Sequence, residues 1–149
     1  MSWYELCWGK AGMHAKLLIL AFACLFLMTA CDEKSPTGPT VPLNQQFTLA
    51  PGEAASIEDT SIRVLFLRVS GDSRCPADAI CIQGGDALVH VRILNGGAEE
   101  VELHTGDESR ASVEHAGHRI ELLNLQPYPF SSRTIPGEEY RATFNVRRP

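Results

Sequence analysis

From Phe47 to the C terminus the chain is a succession of short runs in which apolar and polar side chains alternate, with turn residues between them. An alternation of period two puts every second side chain on one face of a strand, so each run predicts a half-buried β-strand. Phe47 and Leu49 precede Pro51-Gly52, whose fixed and permissive φ values suit a turn. Ile62, Val64 and Phe66 alternate with Leu65 and Leu67, which makes this run apolar on both faces and predicts a central strand. Ala87, Val89, Val91 and Ile93 alternate with Leu88, His90, Arg92 and Leu94, and Val101 with Leu103 begins the next run. Ile120, Leu122, Leu123 and Leu125 form another. Tyr140, Ala142, Phe144 and Val146 give the cleanest alternation, opposed by Arg141, Thr143, Asn145 and Arg147.

One hairpin can be taken to register. A three-residue loop, Asn95-Gly96-Gly97, sets Val91 opposite Val101, Val89 opposite Leu103 and Arg92 opposite Glu100. A two-residue loop would instead put Val101 against His90. Cross-strand apolar and opposite-charge pairs are each worth about 0.2–1 kcal/mol, and a slip of one residue inverts a whole face. The three-residue loop is therefore expected, with its last glycine, Gly97, in the left-handed conformation such loops use.

Seven or eight short strands in about 100 residues predict an all-β domain over 47–149, an antiparallel β-sandwich (immunoglobulin-like) or a partly open barrel. The buried Trp and distant cysteine pair of antibody domains are missing, so their topology is not implied. A chain of 149 residues has room for one such core and a tail. Its 13 basic against 18 acidic residues exclude the basic footprint of a nucleic-acid binder.

The N-terminal third is of another kind. Leu17 to Ala30, LLILAFACLFLMTA, is apolar or small throughout and carries no charge. It is shorter than the roughly 20 residues a spanning helix needs and fits the apolar region of a secretion signal. Lys10, His14 and Lys16 supply the positive charge before it. Met1–Gly12, with Trp3, Glu5 and Trp8, is poor signal chemistry, whereas Met13-His14-Ala15-Lys16 opens a compact one, so translation is expected to start at Met13. Residues 1–30 are thus expected to be a signal peptide. Leu27-Met28-Thr29-Ala30-Cys31 resembles the lipobox of bacterial lipoproteins. That resemblance implies that Cys31 carries a thioether-linked diacylglyceryl group and becomes the first mature residue. Several acyl chains give a stable anchor where a single one would not. Asp32 to Gln46, DEKSPTGPTVPLNQQ, is Pro-rich and poor in apolar side chains, which predicts a flexible spacer across 31–46. Loss of Lys10, Lys16 and Glu5 leaves 11 basic and 17 acidic residues, a net charge of −6, so the acyl group and not the protein surface is expected to hold the membrane. The expected location is the cell envelope, at the inner or outer membrane, with the domain in the periplasm or exposed at the surface.

Cys75 and Cys81 are the only cysteines in the globular part, and an exported chain favours their pairing. Their spacing is not Cys-x-x-Cys, and only Arg74 is close enough in sequence to acidify a thiol, so a structural bridge is expected over a redox pair. Asp72-Ser73-Arg74-Cys75-Pro76, then Cys81, then Gly84-Gly85 before an alternating strand, resembles a motif of small exported lipoproteins of unknown function; the resemblance covers under a fifth of the chain and brings no activity. Asp72, Asp78 and Asp86 are all candidate partners for Arg74. A tied-down corner is the first reading of this stretch and a ligand loop using Asp72 and Arg74 the second.

Two other groups could carry chemistry. Gln126 to Gly137, QPYPFSSRTIPG, is a long connection in which Tyr128 and Phe130 either cap the core or stand exposed beside Arg133 as a binding surface. An Ala116-Gly117 turn would make His115 and His118 face one another, and with His104 or Glu114 they could hold zinc or copper. No Gly-x-Ser-x-Gly turn or phosphate loop is present, and spacing alone promotes no pair among Glu99, Glu100, Glu102, Asp107 and Glu108 to acid and base. The expectation is a non-catalytic, cofactor-free binding or scaffolding module for an envelope protein or small ligand, with periplasmic metal binding as the alternative.

Overall fold

The computed structural model describes residues 38–149; the expected signal peptide over 1–30 and Cys31 lie outside them. Nine strands make up the fold: β1 (Thr40–Val41), β2 (Gln46–Leu49), β3 (Ala54–Ile57), β4 (Arg63–Asp72), β5 (Ala87–Leu94), β6 (Ala98–His104), β7 (Ser112–His115), β8 (His118–Gln126) and β9 (Arg141–Arg147). They form two sheets, a five-stranded one in the order β1-β3-β4-β5-β6 and a four-stranded one in the order β2-β9-β8-β7. The sheets face each other as a sandwich and do not close into a barrel. Among the described residues no helix is long and apolar enough to cross a membrane.

The alternating runs are the inner faces. Val64 and Phe66 of β4, Ala87, Val89, Val91 and Ile93 of β5, and Ala142, Phe144 and Val146 of β9 are all buried in one core. Phe144 sits at its centre, edge-on to Phe66 from the other sheet with ring centroids 6.3 Å apart, and 5.9 Å from Phe47 of β2. Full burial of a side chain of this size contributes about 1.5–3 kcal/mol. β4 is the third of five strands, in keeping with its apolar residues on both faces. On β8 the register shifts between Leu122 and Asn124. This bulge turns Leu123 outward and lets Leu122 and Leu125 both face the core, where strict alternation would not.

The β5–β6 hairpin has the expected register, with Val91 opposite Val101, Val89 opposite Leu103, and Arg92 opposite Glu100. The left-handed residue of its loop is Gly96 (φ 69°), not Gly97. The Asn95 N–H then donates to the Gly97 carbonyl.

The flexible spacer expected over 31–46 does not include 40–46, and the sandwich begins before Phe47. Thr40 and Val41 pair in parallel with Ser56 and Ile57, Val41 is buried, and Asn44 N–H donates to the Val146 carbonyl. Residues 40–46 therefore belong to the sandwich. Three prolines hide a two-residue strand, because backbone pairing with β3 and one buried valine suffice to hold it. The strand order is also not that of antibody domains: β3 to β6 run consecutively through one sheet.

Candidate functional site

One end of the sandwich collects most of the singled-out residues. There β4 ends at Asp72, and the chain makes a 14-residue excursion, 73–86, before β5 begins at Ala87. The connection 127–140 between β8 and β9 emerges at the same end, from the other sheet.

Arg74 joins the two. Its Nε donates to Asp72 Oδ1 at 2.9 Å and its Nη2 to Asp72 Oδ2 at 2.6 Å, a two-pronged ion pair whose side chains are 6% and 9% exposed. Nη1 donates to the Leu125 carbonyl at 2.5 Å and Nη2 to the Pro127 carbonyl at 2.9 Å. Tyr140 Oη donates to Asp72 Oδ2 at 3.0 Å from β9's approach, and Asp72 Oδ1 also accepts the Arg74 backbone N–H. Of the three aspartates open to Arg74, the fold selects Asp72. Burial pushes the Asp72 carboxyl up, but the hydrogen bonds and charge of Arg74, with the Tyr140 hydroxyl, outweigh it and hold the group below the usual range. Burial, together with the hydrogen bond to Asp72 and its negative charge, pushes the Tyr140 hydroxyl up to about 12. Asp72 is thus kept ionised, and four of the five guanidinium N–H groups of Arg74 are engaged internally. This pair positions the loops, and little of it is left to meet a ligand.

The cysteine loop is pinned as well. Cys75 and Cys81 are joined as a disulfide. Ala77 N–H donates to the Pro129 carbonyl at 2.9 Å, and Asp78 accepts from both the backbone N–H (2.8 Å) and hydroxyl (2.5 Å) of Ser131. These two hydrogen bonds from Ser131 hold the Asp78 carboxyl low. The excursion closes on Asp86, a residue for which sequence reasoning offered only a pairing with Arg74. Asp86 Oδ1 accepts from the N–H groups of Thr105 and Gly106, and Oδ2 lies 2.5 Å from His104 Nδ1. Its backbone is latched to Ser73 on both sides, the carbonyl accepting from Ser73 N and Oγ while the N–H donates to Ser73 Oγ. Gly85 passes so close to Ser73 that a Cβ there would lie 1.5 Å from its carbonyl oxygen. The only signals for this hub were a diglycine before an aspartate and a Thr-Gly that begins 19 residues on, too common to mark it.

On this braced end the rings of Tyr128 and Phe130 stand 46% and 53% exposed. They do not cap the core, a place taken by Tyr140. Tyr128 instead lies over the Arg74 guanidinium, 5.2 Å from ring centroid to charge centre. Phe130 and Arg133 form an isolated bridge, and Arg133 pairs with Glu139. A cleft of about 530 Å³ runs between the end of β4 and this connection, lined by Ser70, Asp72, Phe130, Arg133 and Tyr140 among others.

The histidines divide into two places. His115 and His118 do face one another across β7 and β8, flanking Ala116 and Gly117, both with positive φ. His115 Nδ1 lies 3.0 Å from Glu99 Oε2, and His118 Nδ1 donates to the Ala116 carbonyl. His104 is not with them; it is buried between Asp86 and Glu102. Among the described residues, no group of three His, Cys, Asp or Glu side chains is placed to hold a metal ion.

No protein family, curated protein or solved structure matches this chain.

Proposed function

We propose that the chain is a membrane-anchored, extracytoplasmic lipoprotein whose β-sandwich is a non-catalytic binding or scaffolding module. The anchor is read from the lipobox-like Leu27–Cys31 and the apolar run before it. The binding role is carried by one observation: two aromatic rings are held exposed on a connection that is tied down by Arg74 and Asp78. Aromatic side chains exposed on a rigid support are what hot spots of recognition use, because little conformational freedom is lost on contact. The aspartates at this end support the non-catalytic reading. Asp72, Asp78 and Asp86 are each hydrogen-bonded and held ionised, and none is poised to shuttle a proton near neutral pH.

The test is a photo-crosslinking amino acid at Phe130 in the full chain in living cells, with Thr48 on the outer face of β2 as the comparison position. Capture at Phe130 that is lost on Tyr128→Ala, and absent from Thr48, is the expected result. Equal capture at both positions removes the binding surface, and a hydrolytic activity that depends on side chains of the purified chain removes the non-catalytic reading. Cys31→Ser separately tests the anchor through loss of acyl mass and of membrane fractionation.

A further inference from the structure

The Cys75–Cys81 loop ends in two side chains that nothing in the sandwich needs. Ile80 and Ile82, on either side of Cys81, are fully exposed. Isolated exposed isoleucines are ordinary, but two on one braced tip are not. Between Arg74 and Asp86 the only charge is Asp78, an exposed carboxylate that accepts two hydrogen bonds from Ser131. The tip therefore presents two apolar side chains, and the one charge of the loop is engaged by Ser131. The turns at the other end of the sandwich carry Glu58, Asp59, Asn95 and the β7–β8 histidines, and at this end Asp107, Glu108, Glu138 and Glu139 lie on the other two connections.

The direction in which the chain enters the fold connects the tip to a lipid surface. Thr40 pairs with Ser56, and Gly38 runs against the backbone of Ala54, which pairs with Leu65. Followed backwards from Val41 to Gly38, the chain therefore moves along β4 from Arg63 towards Asp72 and the cysteine loop. From the level of Leu65 to Asp72 is roughly 23 Å of strand. Residues 32–37 separate Gly38 from Cys31, and a chain of that length reaches at most about 25 Å. The tether is thus long enough to bring Cys31 level with that end, and short enough to keep the domain against whatever Cys31 is anchored in.

We propose that Ile80 and Ile82 insert into the lipid bilayer that holds the acylated Cys31, so that the cysteine loop is a second, non-covalent membrane contact that orients the sandwich. This rests on the anchoring at Cys31 proposed above. The loop's disulfide and its bonds to Ala77 and Asp78 keep the tip formed in advance, so insertion orders nothing new. The contact itself is apolar, and the one charge of the loop, Asp78, is held by two hydrogen bonds from Ser131. Once the tip is buried, the aromatic connection beside it lies at the membrane surface, within reach of partners in the same membrane.

The mature chain has no tryptophan, since Trp3 and Trp8 both precede Cys31, so one introduced tryptophan reports alone. The full chain with Ile80→Trp, lipidated in cells, is reconstituted into phosphatidylethanolamine/phosphatidylglycerol vesicles with and without brominated acyl chains. Asn95→Trp, at the far end, is the comparison. Blue-shifted emission that brominated lipid quenches for Ile80→Trp, with Asn95→Trp unaffected, is the expected result. Ile82→Ser in the Ile80→Trp background should reduce that quenching; both side chains are exposed, so the fold is untouched. Emission at Ile80→Trp that brominated lipid leaves unchanged, on a chain whose mass includes the acyl groups, overturns insertion and leaves the anchor standing. A blue shift without quenching marks a protein occupant and also overturns it. A mass without acyl groups overturns the anchor and this proposal together, and mass and quenching read the two failures separately.

Discussion

Arg74 leaves the five-stranded sheet and donates to the carbonyl oxygen of Leu125 in the four-stranded one, so a single guanidinium spans the two layers of the sandwich. Asp72 neutralises it, and the pair is almost wholly removed from water. Removing one partner of a buried pair costs about 3–5 kcal/mol, because the other charge is stranded. Arg74→Met should lower stability by about 3 kcal/mol, and Asp72→Asn/Arg74→Met should be less damaging than Arg74→Met alone. Urea unfolding of the three chains checks both statements. Arg74→Lys should recover only part of the loss, since an ammonium cannot meet Asp72 with two prongs and also reach two carbonyls.

The same cluster predicts a loss of stability in alkali. Tyr140 titrates at about 12 in the folded protein against 10.0 ordinarily. A raised value means that the fold favours the neutral hydroxyl, so its contribution is complete below pH 10 and is lost as pH rises through 12. Tyr140→Phe should abolish that alkaline slope. Asp72 has the opposite sign: its folded value is depressed, so its contribution is complete above 3.8 and is lost as pH falls below that. Thermal melts across pH, with and without Tyr140→Phe and Asp72→Asn, separate the two limbs.

The disulfide closes a loop of only seven residues, Cys75 through Cys81. Chain entropy gives such a loop about 2.4 kcal/mol, an upper figure here because Asp78 and Ala77 also hold it down. Cys75→Ser/Cys81→Ser should leave the core folded with a small loss in denaturation midpoint, and should raise hydrogen exchange over residues 76–82 far more than in β5 or β9.

Ala116 and Gly117 both have positive φ (49° and 70°), the arrangement of a two-residue hairpin that favours Asn-Gly. An alanine held left-handed costs about 1–2 kcal/mol. Ala116→Asn should therefore stabilise the domain by about 1 kcal/mol, read as a higher melting temperature with an unchanged urea m-value.

Much of this fold was legible because it is built from local period-two patterns. The inner faces of β4, β5 and β9 follow from alternation, and the β5–β6 register from keeping Val91 with Val101. The β7–β8 hairpin was visible only through its turn, as Val113 is a lone apolar residue there. β1 was invisible, because proline content outweighed the single buried side chain of Val41. The site was hardest. Three aspartates were open to Arg74, and the groups that decide among them, the Leu125 and Pro127 carbonyls, lie 51 and 53 residues away. Backbone acceptors carry no signature in a sequence. That the Tyr128 and Phe130 rings stand exposed while Tyr140 is buried likewise has no signature in the local sequence.

The two-residue strand β1 has a mechanical consequence. It is held to its neighbour by Ser56 N–H to the Pro39 carbonyl and Glu58 N–H to the Val41 carbonyl, and the next tie to the body is Asn44 to Val146. A pull on the chain before Gly38 loads these few bonds and the buried Val41 before the large sheets. Their rupture would release residues 38–43 with both large sheets still assembled. β1 is in this sense a fuse: under tension from the N-terminal side it parts while the rest of both sheets still holds.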